Sequence, residues 1–135
     1  MTKTQIDRLT YIINAAAIEV HKALGPGLLE SVYHKCLKHE LTLKKINFES
    51  ELIVSVHYKG IEVEAQLRCD LFVEKSIVVE LKSCEKIIPI HEAQTLTYMQ
   101  LLNAPKGIIF NFNVTNLFHH GQKTLVNEYY RNLSS

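Results

Sequence analysis

The stretch IVVELKSCEK, residues 77–86, decides how the rest of the chain is interpreted. Its first three residues are β-branched and apolar, which is typical of the middle of a buried strand. The same strand then continues with Glu80 and Lys82. Because side chains two residues apart point to the same face of a strand, these opposite charges share one side of the sheet. They either pair with each other or form half of a catalytic site.

The bulk composition is that of an ordinary folded domain. The chain has 135 residues, 47% hydrophobic and 21% charged, so we expect a single domain over residues 1–135. A net charge of +1 gives no broad positive field, so nucleic acid would have to bind through a local patch or with a partner. The three cysteines lack CxxC spacing and indicate reduced thiols instead of disulfides or a zinc site.

The N-terminal segment resembles neither a signal peptide nor a membrane span, because polar residues interrupt its apolar residues at helical spacing. We therefore expect a cytoplasmic protein without a membrane partner.

The periodicity of apolar residues predicts a definite order of elements. The expected elements are helices over residues 4–24, 28–43 and 89–102 and strands over residues 51–58, 61–73, 77–82 and 108–112. Gly25-Pro26-Gly27 separates the first two helices, since neither residue type continues a helix well. After Asn113 we expect a loop and then a short strand or helix.

The turns between the strands fix the topology. Lys59-Gly60 and Glu74-Lys75-Ser76 are short polar turns, so the first three strands form an antiparallel meander. The strand, helix and strand over residues 77–112 predict a right-handed parallel crossover. The expected fold class is α/β, with a mixed sheet flanked by helices.

The register of the second and third strands brings two acids face to face. With residues 74–76 as the loop, Asp70 lies opposite Glu80 and Arg68 lies opposite Lys82. Carboxylates opposed at about 4.5–5.5 Å destabilise a sheet unless a proton, a nearby cation or a shared metal ion compensates them. One interpretation is therefore an ion-pair cluster at the end of the sheet, with Arg68 and Lys82 as the cations.

The other interpretation is a site for Mg²⁺ (or Mn²⁺), with Asp70 and Glu80 as ligands. Mg²⁺ takes carboxylate oxygens and keeps several waters beside a substrate phosphate. Lys82 would then orient the attacking water, help to deprotonate it or stabilise charge on the phosphate. A slip of one residue in the register would move Asp70 off the face of Glu80.

Five short motifs in order resemble the GxxExxY protein family of the PD-(D/E)XK nuclease superfamily. They are Gly27-Leu28-Leu29-Glu30-Ser31-Val32-Tyr33, Arg68-Cys69-Asp70-Leu71, Val79-Glu80-Leu81-Lys82, His91-Glu92-Ala93-Gln94-x-x-x-Tyr98 and Ile109-Phe110-Asn111-Phe112. Cys69 stands where the superfamily's name has a proline. The resemblance implies a restriction-endonuclease-like core (α-β-β-β-α-β) and metal-dependent hydrolysis of phosphodiester bonds.

The resemblance also implies a role for each candidate residue. The metal ligands would be Asp70, Glu80 and the backbone carbonyl of Leu81. The catalytic group would consist of Lys82 as the amine, Glu30 as an additional acid that reaches the metal directly or through water, and Gln94 as a side chain that lines the site.

Several of these residues also have ordinary structural interpretations. An acid such as Glu30 in the first turn of a helix interacts favourably with the helix dipole. Gln94 and Tyr98, four residues apart, could form a hydrogen-bonding pair on a helix surface. Tyr33 and Cys69 are expected in the core, Cys69 because alternation places it on the face opposite Asp70.

The sequence therefore supports two functions. The first is a metal-dependent, nuclease-like hydrolase of DNA or RNA phosphodiesters. The alternative is a catalytically silent module with a nuclease fold that binds nucleic acid or protein. Near-neutral charge and small size favour the alternative, since specific protein–DNA interfaces bury about 1,000–2,500 Å² of protein. A homodimer formed through exposed sheet edges would enlarge the binding surface.

Overall fold

A mixed sheet of five strands, in the spatial order β1-β2-β3-β4-β5, organises the molecule. This computed structural model describes residues 1–64 and 67–135. In chain order the elements are α1 (Lys3–Leu24), α2 (Glu30–Leu43), β1 (Phe48–Tyr58), β2 (Ile61–Val73), β3 (Ile77–Lys82), α3 (Pro89–Leu101), β4 (Lys106–Asn111), α4 (Leu117–His120), β5 (Gln122–Val126) and α5 (Glu128–Arg131). Within the described residues, every helix is too short or too polar to span a membrane.

The ends of α1 follow from local chemistry. Thr2 and Gln5 form a capping box, in which each side chain accepts the backbone N–H of the other residue. At the other end Gly25 has φ +67° and donates its N–H to the carbonyl of His21. A left-handed φ of this kind suits glycine, so the predicted end of the helix is confirmed. Helix α2 begins two residues later than predicted because Leu29 is still extended, with φ −70° and ψ 149°.

The strand pairing confirms the predicted topology. Strands β1, β2 and β3 form an antiparallel meander, whereas β3 and β4 are parallel across α3. Both β1 and β4 begin earlier than predicted. Phe48 already pairs with Val73, and Lys106 pairs with Val126 of β5, an antiparallel strand that the prediction for the tail left open.

Two hydrophobic clusters cover the two faces of the sheet. The first core packs α1 and α2 against Ile77, Val79 and Leu81, and the second core packs α3 against Val78. Strand β3 is therefore buried on both sides, which explains its continuous apolar run. In the second core α3 lies very close to β4: a Cβ atom at Gly107 would be 2.6 Å from Met99 Sδ.

The N-terminal end of β4 carries a compensated charge, and we call this region the paired end. Lys106 is only 8% exposed, and its Nζ lies 3.1 Å from Asp7 Oδ1 on α1. The Asp7 carboxylate also accepts hydrogen bonds from the Tyr130 hydroxyl, at 3.0 and 3.1 Å. The Lys106 ammonium also lies 5.5 Å from the centre of the Tyr130 ring. These contacts join α1, β4 and α5.

Candidate functional site

Strands β2 and β3 stop pairing just where the candidate acids lie. Backbone pairing between the two strands ends at Leu71 and Val79. Beyond that point the hydrogen bonds between the strands are made by side chains. The Asp70 N–H donates to Glu80 Oε2 at 2.8 Å, and the Leu81 N–H donates to Asp70 Oδ2 at 2.8 Å. Each carboxylate is thus fixed by an amide of the neighbouring strand, and the two acids lie together where the strands separate.

The expected pairing of Arg68 with Lys82 is wrong, because the ladder ends before it reaches them. Arg68 is exposed, and its register partner is Ile53 on β1. Within residues 1–64 and 67–135, no ion pair involves either Arg68 or Lys82. The ion-pair cluster expected as one interpretation of this site is therefore not formed.

The backbone is irregular at Asp70. Cys69 belongs to the second core and Leu71 to the first, although residues two apart normally share a face. The face therefore changes at Asp70. The facing residue on β1, Glu51, has φ +52°, which is uncommon for a residue other than glycine. Cys69 is fully buried, so its predicted place in the core is confirmed.

A cleft of about 280 Å³ opens beside these acids, between α2 and the sheet. Its lining consists of Glu30, Ser31, His34, Glu51, Asp70 and Leu81. Helix α2 supplies Glu30 and His34, which are four residues apart and so lie on one helix face. A ring nitrogen of His34 lies 3.2 Å from Ser50 Oγ, which holds the imidazole at the edge of the cleft.

The loop before Glu30 is held by hydrogen bonds with Tyr33 and Ser83. The Tyr33 hydroxyl donates to the Gly25 carbonyl at 2.5 Å and accepts the Leu28 N–H at 3.2 Å. Ser83, directly after Lys82, donates its hydroxyl to the Leu28 carbonyl at 2.6 Å. Tyr33 is fully buried, which confirms its predicted place in the core. The loop therefore connects the start of α2 with the end of β3.

Burial, together with the charge of a neighbouring acid, raises the pKa values of the acids. Glu80 is 6% exposed, and burial, followed by the charge of Asp70, raises its pKa to about 8. Burial also raises the pKa of Asp70, although the Leu81 N–H and the charges of His34 and Lys82 oppose the rise. The pKa of Glu30 is raised by burial and then by the charge of Asp70. The cluster therefore favours uptake of protons or of a cation.

The donor set fits a hard divalent cation. All three acids offer carboxylate oxygens, the ligands that Mg²⁺ prefers, and the hydrogen bonds to backbone amides use one oxygen each of Asp70 and Glu80. In the described part of the chain, no three His, Cys, Asp or Glu side chains lie close enough to hold a metal ion together. A backbone carbonyl such as that of Leu81, together with water, would have to complete the coordination.

Helix α3 packs on the other face of the sheet, in the second core. Gln94 is exposed on α3 and lies outside the lining of the cleft. Tyr98 is buried in the second core, so the expected surface pair of Gln94 and Tyr98 is not formed. The pKa of His91 is lowered by burial and by the charge of Lys82.

Sequence reasoning missed three polar residues around the site. The sequence could have indicated His34, because it follows Glu30 by four residues and so lies on the same face of the helix. It could not have indicated Glu51, because its position opposite Asp70 depends on an irregular register. Asn111, which pairs with Lys82 across β3 and β4, holds the next loop through both backbone groups of Cys84, at 3.1 and 3.0 Å.

Comparison with known proteins gives the family. The family model of the PD-(D/E)XK nuclease superfamily matches residues 7–124, so the chain belongs to that superfamily. No curated protein matches the chain. A solved structure titled "Crystal structure of SSO0001" is similar, with 24% identity and a TM-score of 0.53, and the match covers 75% of this chain. The matched part spans 54% of that protein, and the likeness supports the predicted restriction-endonuclease-like fold.

Proposed function

We propose that this member of the PD-(D/E)XK nuclease superfamily hydrolyses phosphodiester bonds in DNA or RNA with the help of Mg²⁺ or Mn²⁺. We also propose that it belongs to the GxxExxY subfamily, whose naming motif corresponds to Gly27, Glu30 and Tyr33. The observation that carries the proposal is the arrangement of Asp70 and Glu80. Each carboxylate accepts a backbone N–H from the other's strand, Asp70 lines the cleft, and Lys82 lies two residues beyond Glu80.

The roles of the residues follow from their chemistry. Asp70, Glu80 and the Leu81 carbonyl would hold the divalent ion, which supplies Lewis-acid activation of the phosphate when it is bound. Lys82 orients the attacking water and stabilises the negative charge that develops on the phosphate oxygens. Water adds to phosphorus, the bond to the leaving oxygen breaks, and the proton released by the water ends on the leaving oxygen.

Two residues support this centre. Glu30 adds a third carboxylate from the first turn of α2 and lines the same cleft. Gln94 is proposed to contact substrate from the exposed face of α3, because its amide can both donate and accept hydrogen bonds.

The alternative function is a silent module that binds nucleic acid or protein without cutting. It is favoured by the absence, among the described residues, of three side chains arranged to hold a metal ion. A location in the cytoplasm, a homodimer and a single domain over residues 1–135 also stay predictions.

Calorimetric titration with Mg²⁺ and Mn²⁺, paired with cleavage assays, distinguishes the two functions. An enzyme binds metal, loses that binding in Asp70→Ala and Glu80→Ala, and cuts single- or double-stranded DNA or RNA. The matched control is Glu62→Ala, which removes an exposed carboxylate from the same strand as Asp70. Metal binding without cleavage of any of these substrates would support the silent module instead.

A further inference from the structure

A second groove, of about 280 Å³, lies between the last turn of α1 and residues 115–119. Its lining includes Lys22, Phe118 and His119, and none of the lining residues, all of which are described, is acidic. In a chain with 14 acids and 15 Lys and Arg, a groove of this composition complements a negatively charged ligand. The proposed function does not use this groove.

Hydrogen bonds connect the groove directly to the end of β3. His21, in the groove wall, directs Nε2 at the carbonyls of Phe112 and Val114, at 3.1 and 2.8 Å. Because both partners are acceptors, Nε2 carries the proton. The Phe112 N–H in turn donates to the Lys82 carbonyl at 3.0 Å. The wall of this groove is therefore two hydrogen bonds away from the backbone of Lys82.

The groove combines the two features with which proteins bind unpaired nucleic acid. Phe118 is 57% exposed, and the ring of His119 meets it edge-on with centres 5.2 Å apart. Exposed aromatic rings stack on bases of any sequence, whereas lysines neutralise the phosphates between them. Phe118 and Lys22 line the same groove, so an aromatic face and a positive charge are available to one ligand.

We propose that this groove binds an unpaired segment of the nucleic-acid substrate, with Phe118 stacked on a base and Lys22 against a phosphate. This inference rests on the proposed function only in taking nucleic acid as the ligand. It adds that the substrate is single-stranded or has a single-stranded segment.

The test is binding without cleavage. Short fluorescent oligonucleotides of single-stranded DNA, single-stranded RNA and duplex DNA are titrated with the wild-type chain in EDTA, and anisotropy is measured. We expect a single-stranded form to bind and Phe118→Ala to weaken its binding by about 5- to 150-fold, the usual range for a stacked base. We expect Lys22→Gln to lower the slope of log affinity against log salt by about 0.7.

Two control variants test whether a loss of binding is specific to the groove. Tyr11→Ala removes a tyrosine that is 75% exposed elsewhere on α1, and Lys44→Gln removes an exposed charge after α2. Neither change should alter binding. Phe118→Leu keeps apolar bulk without an aromatic face, so it should weaken binding as Phe118→Ala does.

Three results would overturn the inference: no binding of either single strand, wild-type binding by Phe118→Leu, or equal losses in the controls. Cleavage is scored separately with metal present. Phe118-dependent binding without cleavage would reject the proposed enzyme activity and support the binding groove. Cleavage together with unaltered binding by Phe118→Ala would support the enzyme activity and reject the binding groove.

Discussion

The two ends of the parallel strand pair β3–β4 differ in whether their charged side chains are compensated by a partner. At the paired end, Lys106 lies against Asp7 and Tyr130, and the two charges compensate each other. At the other end, burial raises the pKa values of Asp70, Glu80 and Glu30, the charge of Asp70 adds to the rise for Glu80 and Glu30, and Lys82 joins no ion pair within the described residues. The first arrangement serves the fold. The second works against stability, which is the usual sign that side chains have been placed for chemistry.

The largest expected effect is a loss of cleavage that distinguishes Lys82 from Lys106. Lys82→Ala should lower the rate of cleavage by about 10²-fold or more while metal affinity stays the same, because Lys82 acts on charge in the transition state. Lys106→Ala should keep cleavage and lower thermal stability instead, because its buried stem and its ion pair belong to the fold. Single-turnover kinetics and calorimetry measure both variants. Unchanged turnover in Lys82→Ala would remove this residue from the mechanism.

The second effect is a pH dependence of the metal-free protein. The folded-state pKa of Glu80 is raised to about 8, so its contribution to stability is fully present below its unfolded pKa and is lost as pH rises through about 8. In EDTA the melting temperature should therefore fall between about pH 5 and pH 9. Glu80→Gln should flatten this fall and stabilise the protein at pH 8 by on the order of 1–3 kcal/mol.

Calorimetric scans at several pH values check this expectation. Added Mn²⁺ should raise the melting temperature of the wild type at pH 8 and leave Glu80→Gln nearly unaffected, since binding to the folded state alone stabilises it. A wild type whose melting temperature rises steadily with pH in EDTA would contradict the assignment.

The third effect compares two tyrosine hydroxyls. Tyr33→Phe leaves the Gly25 carbonyl and the Leu28 N–H without their partner, which should cost about 1–2 kcal/mol and loosen the loop that positions Glu30. Tyr130→Phe at the paired end removes bonds to the largely exposed Asp7 and should cost less. We also expect weaker metal binding only in Tyr33→Phe, and equal metal affinity in both variants would show that this loop serves stability alone.

The smallest effect concerns Asp7. Its pKa is lowered, chiefly by the hydrogen bond from Lys106, so its contribution is present above its unfolded pKa and is lost as pH falls through the folded value. Because the Asp7 side chain is 54% exposed, Asp7→Asn should cost no more than about 0.5–1 kcal/mol near pH 7. Urea titrations at pH 7 and below pH 3 measure the difference, which should vanish in acid.

Much of this fold follows from the sequence because its signals are local. The long apolar periodicities predicted α1, α2 and α3, and the turns at residues 59–60 and 74–76 predicted the meander. The tail was less predictable, since α4, β5 and α5 are each only four or five residues long. Asn116 and Asn127, whose side chains cap the two short helices, were the available signal.

The surroundings of Asp70 could not be predicted for a different reason. Counting back from the turn at Lys59-Gly60 places Glu51 opposite Arg68, where the two would form an ion pair. The register shifts between Val54 and Val56, so that Arg68 pairs with Ile53 and Glu51 comes to face Asp70 instead. A register shift of this kind is a property of the backbone, and no single residue type predicts it.

Gly107 sets how closely α3 packs on β4 in the second core. A Cβ atom there would lie 2.6 Å from Met99 Sδ and 2.9 Å from Thr95 Cγ2, closer than such atoms normally approach. An alanine at this position would therefore push the side chains of Met99 and Thr95 away from the sheet. The strain would fall at the end of β4 that carries Lys106, so the packing of α3 would suffer while the opposite end, where the candidate acids lie, keeps its strand pairing.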